Sequence, residues 1–221
     1  DNVFTGTDYY IDFYQREYKW GTEQVETLLD DIFYKFGQHY EDDGAKPSVE
    51  IVERYPWYYL STYITNRASG GRVYVVDGQQ RLTTLTLILV KLYHMCREAE
   101  GLEGRKEWIQ QHIISYSASG KTFWMGHGKR EEPLRRLFEG ELHEYDETEY
   151  LTAANMMENY QAVSDYLDET LPTRHKLEMF VLYFLIRVVM VRLDVEQTDV
   201  PMVFEVINDR GVRLKSHEIL K

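Results

Sequence analysis

The stretch "VVDGQQRLTTLTLIL", from Val75 to Leu89, changes from one structural pattern to another in its middle. The apolar residues at its start are typical of a buried strand, and the apolar spacing after Arg81 is typical of a helix. A helix start ordinarily needs one short capping residue. Here three long hydrogen-bonding side chains follow an aspartate and a glycine, and we predict a strand-to-helix turn of Asp77, Gly78, Gln79, Gln80 and Arg81.

The start of a helix favours a bound anion, because its first backbone N–H groups lack partners and the helix dipole is positive there. Gly78 lets a ligand approach the backbone, and Arg81 can donate two parallel hydrogen bonds to a phosphate. Asp77 has the opposite charge and fits a metal ligand or an acceptor that orients water. A purely structural alternative stays open, in which Asp77 caps the helix and Arg81 forms an ordinary ion pair.

The flanking sequence predicts further strands and helices around this turn. Two strands joined at Ser69-Gly70-Gly71 are expected, the second of which ends at Asp77. After Thr22, which is a suitable N-cap, one apolar helix face is predicted. That face consists of Val25, Leu28, Leu29, Ile32 and Phe36.

The remaining segments are predicted from composition and spacing. Residues 38–55 are polar and are expected to form a loop, and residues 97–130 a loop with one short helix at 105–113. From about Leu134 onward helical patterns dominate. Val188–Val195 is rich in β-branched residues and is expected to return as a strand to the sheet.

A second candidate motif is "YQREYKW", from Tyr14 to Trp20. In an extended segment, alternation places Tyr14, Arg16, Tyr18 and Trp20 on one side and Gln15, Glu17 and Lys19 on the other. Aromatic rings beside an arginine suit a platform for bases or phosphates. They suit a half-buried strand as well, and the sequence alone leaves both interpretations open.

A third candidate motif is "VFEVINDRGVRLKSHEILK", from Val203 to Lys221. Asn208, Arg210 and Gly211 are predicted to form a polar turn before a helix that Ser216 caps. Lys215 lies just ahead of that helix. Together with the first turn, these residues predict two clamps around one polyanion.

Composition excludes several classes of protein. The net charge of −12 over 221 residues argues against a protein that coats nucleic acid or anionic membrane through its overall field. The single cysteine, Cys96, excludes a disulfide framework and a cysteine zinc site and predicts a reducing cytoplasm. The longest apolar run, Met179–Val191, is too short to span a membrane. "SASGKT" lacks the first glycine of a Walker motif, because Ser115 stands there.

The three motifs, in this order and with these separations, resemble the N-terminal domain of GmrSD-type modification-dependent restriction proteins. The resemblance extends from about Tyr10 to Lys221 and implies an α+β fold, in which a small mixed sheet related to the ParB and sulfiredoxin nucleotide-binding fold carries a larger helical lobe. We expect residues 1–97 and 187–221 to form the nucleotide-binding core and residues 98–186 the helical lobe. Family members commonly add a C-terminal HNH-type nuclease, which we expect beyond these residues.

The resemblance also implies an NTPase that uses Mg²⁺ or a similar divalent metal, with GTP among the candidate nucleotides, in a system that acts on DNA. Asp77, Gln79, Gln80 and Arg81 are the predicted catalytic residues, and Asp77 is the predicted metal ligand. The predicted nucleotide-binding residues are Tyr14, Gln15, Arg16, Tyr18, Trp20, Gly78, Thr83, Thr84, Asn208, Arg210, Gly211 and Lys215. A homo-oligomer is considered, and no membrane partner is expected. A rival hypothesis is a non-catalytic module that senses DNA or binds protein, in which basic residues of "GKREEPLRRL" contact DNA.

Overall fold

The computed structural model describes residue 3 and residues 7–11, 17–68, 72–117 and 120–211, with the backbone alone at 117, 204 and 207–211. The elements in chain order are β1 (Tyr9–Tyr10), α1 (Thr22–Gly37), α2 (Val49–Val52), β2 (Tyr58–Arg67), β3 (Val73–Asp77), α3 (Gln79–Glu98), α4 (Glu103–Gln111), β4 (Ile114–Ser117), β5 (Gly120–Phe123), a 3₁₀ turn (Gly128–Arg130), α5 (Glu131–Glu139), α6 (Glu147–Thr170), α7 (Arg174–Arg187), β6 (Val188–Val195) and α8 (Val200–Gly211).

A mixed sheet supports the predicted strand-to-helix turn. Within the described residues its strand order is β1-β3-β2-β6, with β3 parallel to β1 and antiparallel to β2. Strand β6 runs parallel to β2, from the Tyr58–Val188 pair to the Asn66–Val195 pair. The antiparallel pairing of the two predicted strands and the predicted return of the chain at Val188 are therefore confirmed, while the turn at Ser69-Gly70-Gly71 lies outside the described residues. The α+β class with a small mixed sheet is confirmed as well.

Helix α3 is the central helix of the core, because every residue from Leu82 to Val90 is buried. Its threonines fit this apolar environment because their hydroxyls donate to carbonyl oxygens four residues earlier. Thr83 donates to Gln79 and Thr86 to Leu82, both at 2.8 Å. None of the helices in the described residues is both long and apolar enough to cross a membrane.

The predicted face of helix α1 is confirmed, since its five apolar residues are all buried. Gly21, and not Thr22, is the N-cap of this helix. The loop predicted at 38–55 contains the short helix α2, so that prediction is wrong in part. The loop predicted at 97–130 contains α4 and also an antiparallel hairpin, β4–β5, that the sequence did not indicate.

Two predicted turns prove to be helical. Helix α3 begins at Gln79, so only Gly78 separates it from strand β3. Helix α8 continues to Gly211, so the polar turn predicted around Asn208 and Arg210 is wrong in its backbone conformation. In both segments, polar residues that are common in turns also satisfy an ordinary helical backbone, and local composition does not separate the two states.

His94 links α3 to α5 and α6 inside the core. Its Nε2 lies 3.0 Å from the carbonyl oxygen of Phe138 and its Nδ1 lies 2.7 Å from the hydroxyl of Tyr160. The carbonyl can only accept, so Nε2 carries the proton and Nδ1 accepts from Tyr160. Burial lowers the pKa of His94, and it also lowers the pKa values of His112 and His127.

We expect the protein to lose stability as the pH falls below about 6.5, the ordinary pKa of histidine. The lowered pKa means that the folded protein binds a proton at His94 less readily than the unfolded chain does. Stability from this residue is therefore complete above that pH and declines below it. The melting temperature should be lower at about pH 5.5 than at about pH 7.5. His94→Gln keeps a donor and an acceptor and should show a smaller drop; an equal drop would contradict the assignment.

Candidate functional site

The first turn of helix α3 has unpaired backbone donors. Its N-cap is Gly78, at φ 93°, and no side chain caps the helix. Within the described part of the chain, the backbone N–H groups of Gln79, Gln80 and Arg81 have no acceptor. The first backbone bond is the one from the Leu82 N–H to the Gly78 carbonyl, at 3.0 Å. The N–H groups before it remain available to an anion, as a helix start allows.

Gly78 is required at this position for two reasons. Its positive φ is costly for residues with a Cβ atom. An added Cβ would also lie 2.7 Å from the Cβ and 3.3 Å from the Cα of Tyr63, on strand β2. Strand β2 of the protein's own sheet, and not a ligand, thus lies close to the backbone of Gly78.

Asp77 and Arg81 flank this helix start without ordinary structural partners. Asp77 is the last residue of β3, in register with Ile64, and does not cap the helix. Arg81 forms no salt bridge with any described residue. Burial raises the pKa of the nearby Tyr58 hydroxyl, and the charge of Arg81 opposes that rise. Among the described residues, therefore, Asp77 does not cap the helix and Arg81 has no ion-pair partner, as the structural alternative would require.

Gln80 serves the protein's own backbone. Its Oε1 accepts from the N–H groups of Lys19 at 2.8 Å and Trp20 at 3.3 Å, and its Nε2 donates to the Glu17 carbonyl at 2.8 Å. These three bonds fasten the segment 17–20 to the first turn of α3. We therefore correct the catalytic role predicted for Gln80, because its amide already has partners on both sides.

The segment 17–20 lies between α3 and α6. Tyr18 is fully buried, and its hydroxyl bonds Thr84 at 2.8 Å and Asn159 at 3.0 Å. The Tyr18 N–H donates to Thr152, its carbonyl accepts from Asn155, and the carbonyl of Trp20 accepts from Asn159. Tyr18 and Thr84 are thus packing residues and not a stacking platform, which corrects their predicted roles. Trp20 is half-buried.

The structure also brings together two buried polar groups beside this turn. Gln79 is 7% exposed, and its Oε1 has no hydrogen-bond partner. One turn later Thr83 accepts a bond of 3.1 Å from Nε of Arg130, which is 4% exposed. Burial lowers the pKa of Arg130 to about 10, and its Nη2 has no partner. Thr83 was predicted to bind nucleotide, but in the structure its hydroxyl bonds Arg130 instead.

Sequence reasoning missed the burial of Arg130, because the basic residues of "GKREEPLRRL" were considered only as surface residues that could contact DNA. Arginine is almost never fully buried without a partner, so nothing in the residue pattern argued for burial here. In the fold, its neighbours Lys129 and Glu17 form an ion pair at the surface, and this pair lowers the pKa of Glu17. The buried guanidinium is left with one donor, Nη2, that has no partner among the described residues.

The other predicted site residues fall partly outside the described chain. Tyr14, Gln15, Arg16 and Lys215 lie outside the described residues. Asn208, Arg210 and Gly211 lie on helix α8, where the side chains of these residues are not described. The second clamp therefore stays a prediction.

A divalent metal fits one residue of this site. Among the described residues, no group of three or more His, Cys, Asp and Glu side chains comes together that could hold a metal. Mg²⁺, however, is commonly held by one or two carboxylates together with phosphate oxygens of the substrate. The unpartnered carboxylate of Asp77 beside a helix start meets that requirement when a nucleotide supplies the remaining oxygens.

Two comparisons with known proteins bear on this arrangement. A family model described as GmrSD restriction endonuclease, N-terminal domain, matches residues 1–221, the whole chain. No curated protein matches the chain.

Proposed function

Because the chain belongs to the family of GmrSD restriction endonuclease N-terminal domains, we propose that it binds and hydrolyses a nucleoside triphosphate and thereby regulates a restriction system. Its place in a restriction system, and hence in defence against foreign DNA, follows from the family. The nucleotide chemistry is the proposal. The observation that carries it is the start of helix α3, where free N–H groups meet an unpaired arginine and an unpaired aspartate.

In this proposal the phosphates lie against the N–H groups of Gln79, Gln80 and Arg81. The guanidinium of Arg81 neutralises phosphate charge, and phosphoryl transfer depends chiefly on such neutralisation and on positioning. Gln79 is the residue proposed to orient the attacking water. The water oxygen bonds to the γ-phosphorus as the bond to the β-phosphate oxygen breaks, and the water's proton passes to an oxygen of the released phosphate. Asp77 would hold Mg²⁺, which supplies charge neutralisation of the phosphates when it is bound.

The residues around the start of α3 have other roles than Asp77, Gln79 and Arg81. Gln80, Tyr18 and Thr84 keep the segment 17–20 in place and act as positioning residues. Arg130 adds a buried positive charge behind the first turn of α3. Tyr14, Gln15, Arg16, Trp20, Asn208, Arg210, Gly211 and Lys215 remain proposed nucleotide contacts, and cytoplasmic location and self-association remain proposals as well.

A second candidate function is a non-catalytic module that senses DNA within the same system. One observation favours it, namely that Gln80 and Thr84, two residues of the central motif, are engaged in holding the fold. This candidate predicts nucleotide-independent DNA binding and no phosphate release.

The test measures phosphate release from each nucleoside triphosphate, with Mg²⁺ and with excess EDTA, by wild type and Asp77→Ala. We expect release by wild type with Mg²⁺, and we expect EDTA and Asp77→Ala to lower the rate to the same level, because both remove the same contribution. Glu98→Ala is the matched control, since Glu98 is an exposed acid at the opposite end of α3. No release by folded wild type, or equal rates in Asp77→Ala and wild type, would leave the non-catalytic candidate.

A further inference from the structure

A cavity separate from the start of α3 lies against one face of the sheet. Its volume is about 1090 Å³, and β6, α3, α4 and α7 contribute to its walls. This volume is just above the range of about 300–1,000 Å³ that is usual for ligand pockets. None of the described residues Asp77–Arg81 lines it. The lining of α3 comes instead from Leu85 and Leu89, a different face from that of Gln80 and Thr84.

The wall formed by the sheet is polar and has one excess positive charge. Arg192 donates to Oδ1 of Asp194 at 2.9 and 2.7 Å and to Thr65 at 2.9 Å. Arg67 is exposed and lies close enough to Asp194 to contribute to the lowered pKa of that carboxyl. Among the described residues of the lining, Arg67, Arg192 and Asp194 are the ionised ones, so the sum of their charges is that of one cation.

Two tyrosines on the same wall supply neutral polar groups. The hydroxyls of Tyr9 and Tyr63 lie 3.0 Å apart, and burial raises the pKa values of both, so they remain uncharged. The Tyr9 hydroxyl donates to the Val3 carbonyl at 2.7 Å, so the Tyr63 hydroxyl donates to Tyr9. The oxygen of Tyr63 can still accept a hydrogen bond from a sugar hydroxyl of a ligand.

The opposite wall is apolar except for one unpartnered acceptor. Leu85, Leu89, Trp108 and Phe184 line it, together with His112, which is 4% exposed. Nδ1 of His112 lies 2.8 Å from the Trp108 carbonyl, to which it must donate. Nε2 is therefore an acceptor that has no hydrogen-bond partner among the described residues, and the protein encloses it.

We propose that this cavity binds one unpaired nucleotide of a DNA strand, with its phosphodiester against Arg67 and Arg192 and its base on Trp108. Guanidinium groups match the geometry of phosphate oxygens. Bases stack on aromatic side chains, and nucleotides that leave the duplex enter pockets of this kind. This site is independent of the proposed hydrolysis of nucleotides at α3.

Charge distinguishes a nucleotide within a strand from a free one. A phosphodiester carries a single negative charge, which balances the one excess positive charge of the wall. A free mononucleotide or a triphosphate carries more than one negative charge. The wall would leave part of that negative charge unbalanced, and the carboxylate of Asp194 would repel it. The geometry therefore favours the strand over the free nucleotide.

The test measures the binding of a fluorescently labelled single-stranded oligonucleotide by anisotropy. The same sequence as a closed duplex, and the same strand with abasic sites, serve as comparison ligands. Wild type should bind the single strand more tightly than either, because the duplex must be opened and the abasic strand offers no base. Arg67→Gln should weaken binding about tenfold or more, the value of a lost charge-assisted hydrogen bond. Trp108→Leu should weaken it about fivefold or more through lost stacking.

Arg97→Gln is the matched control, because Arg97 is exposed on α3, lies outside the lining and gives the same change of net charge. It should bind the strand as wild type does. The melting temperature of each variant establishes that it is folded. Equal affinity of Arg67→Gln and Arg97→Gln would overturn the proposal. So would tighter binding of the duplex, or competition by a free mononucleotide as effective as that by the strand.

Discussion

Gly78→Ala is expected to lower the free energy of unfolding by about 2–5 kcal/mol. A Cβ atom at φ 93° costs about 1–2 kcal/mol through backbone strain alone. The same atom would lie 2.7 Å from Cβ of Tyr63 on strand β2, and forced overpacking costs about another 1–3 kcal/mol. Strand atoms cannot move aside as a flexible side-chain end can. Urea unfolding followed by circular dichroism measures the difference.

Gly140→Ala is the matched control for this experiment. Gly140 follows helix α5 at φ 87°, and an added Cβ there meets nothing within 4 Å. It therefore carries the backbone strain without the contact, and we expect a loss of only about 1–2 kcal/mol. Equal losses at the two glycines would show that the approach of α3 to β2 is looser than the structure has it.

Arg81→Ala is expected to reduce phosphate release about 100-fold or more, with little change in melting temperature. Removing one group that stabilises developing charge typically costs about 10²–10³ in rate. Arg81 is half-buried and forms no salt bridge with a described residue, so its removal should change stability by no more than about 0.5 kcal/mol. Arg97→Ala, an exposed arginine in the last turn of the same helix, should retain wild-type rate.

For Gln80, the neighbour of Arg81, we expect the main effect of substitution to be on stability. Gln80→Leu removes all three bonds to the segment 17–20 and should lower stability by about 1–3 kcal/mol. Gln80→Glu keeps the two bonds that its oxygen accepts and should lose less. Gln80→Leu should change stability and Arg81→Ala the rate of phosphate release, so the double variant should show both effects. A normal rate per folded molecule in Arg81→Ala would remove the main residue of the proposed site.

Periodic features were the ones that the sequence predicted well. The buried strand before Asp77, the apolar face of α1 and the β-branched return at Val188 all depend on spacing, which reflects one buried side of an element. The hairpin β4–β5 lacks such spacing, because Gly120-Lys121-Thr122 is polar and largely exposed, and it was missed.

The proximity of the first two motifs was predicted better than the contacts between them. The sequence analysis places the two motifs close together, and segment 17–20 does contact the start of α3. The hydrogen-bond partners of Gln80 were not foreseen. Bonds from a side chain to a backbone more than fifty residues away leave no trace in local pattern or propensity. The burial of Arg130 was missed for the same reason, since its environment is supplied by residues distant in sequence.

The segment 17–20 has one further consequence for the dynamics of the protein. Its amide protons belong to no helix or strand, yet Tyr18 N–H is held by Thr152 of α6, and those of Lys19 and Trp20 by Gln80 of α3. Such protons exchange with deuterium only when the groups that hold them separate. Slow exchange at these amides would thus report that α3 and α6 stay together, and faster exchange that the two helices part at the very place where the anion site begins.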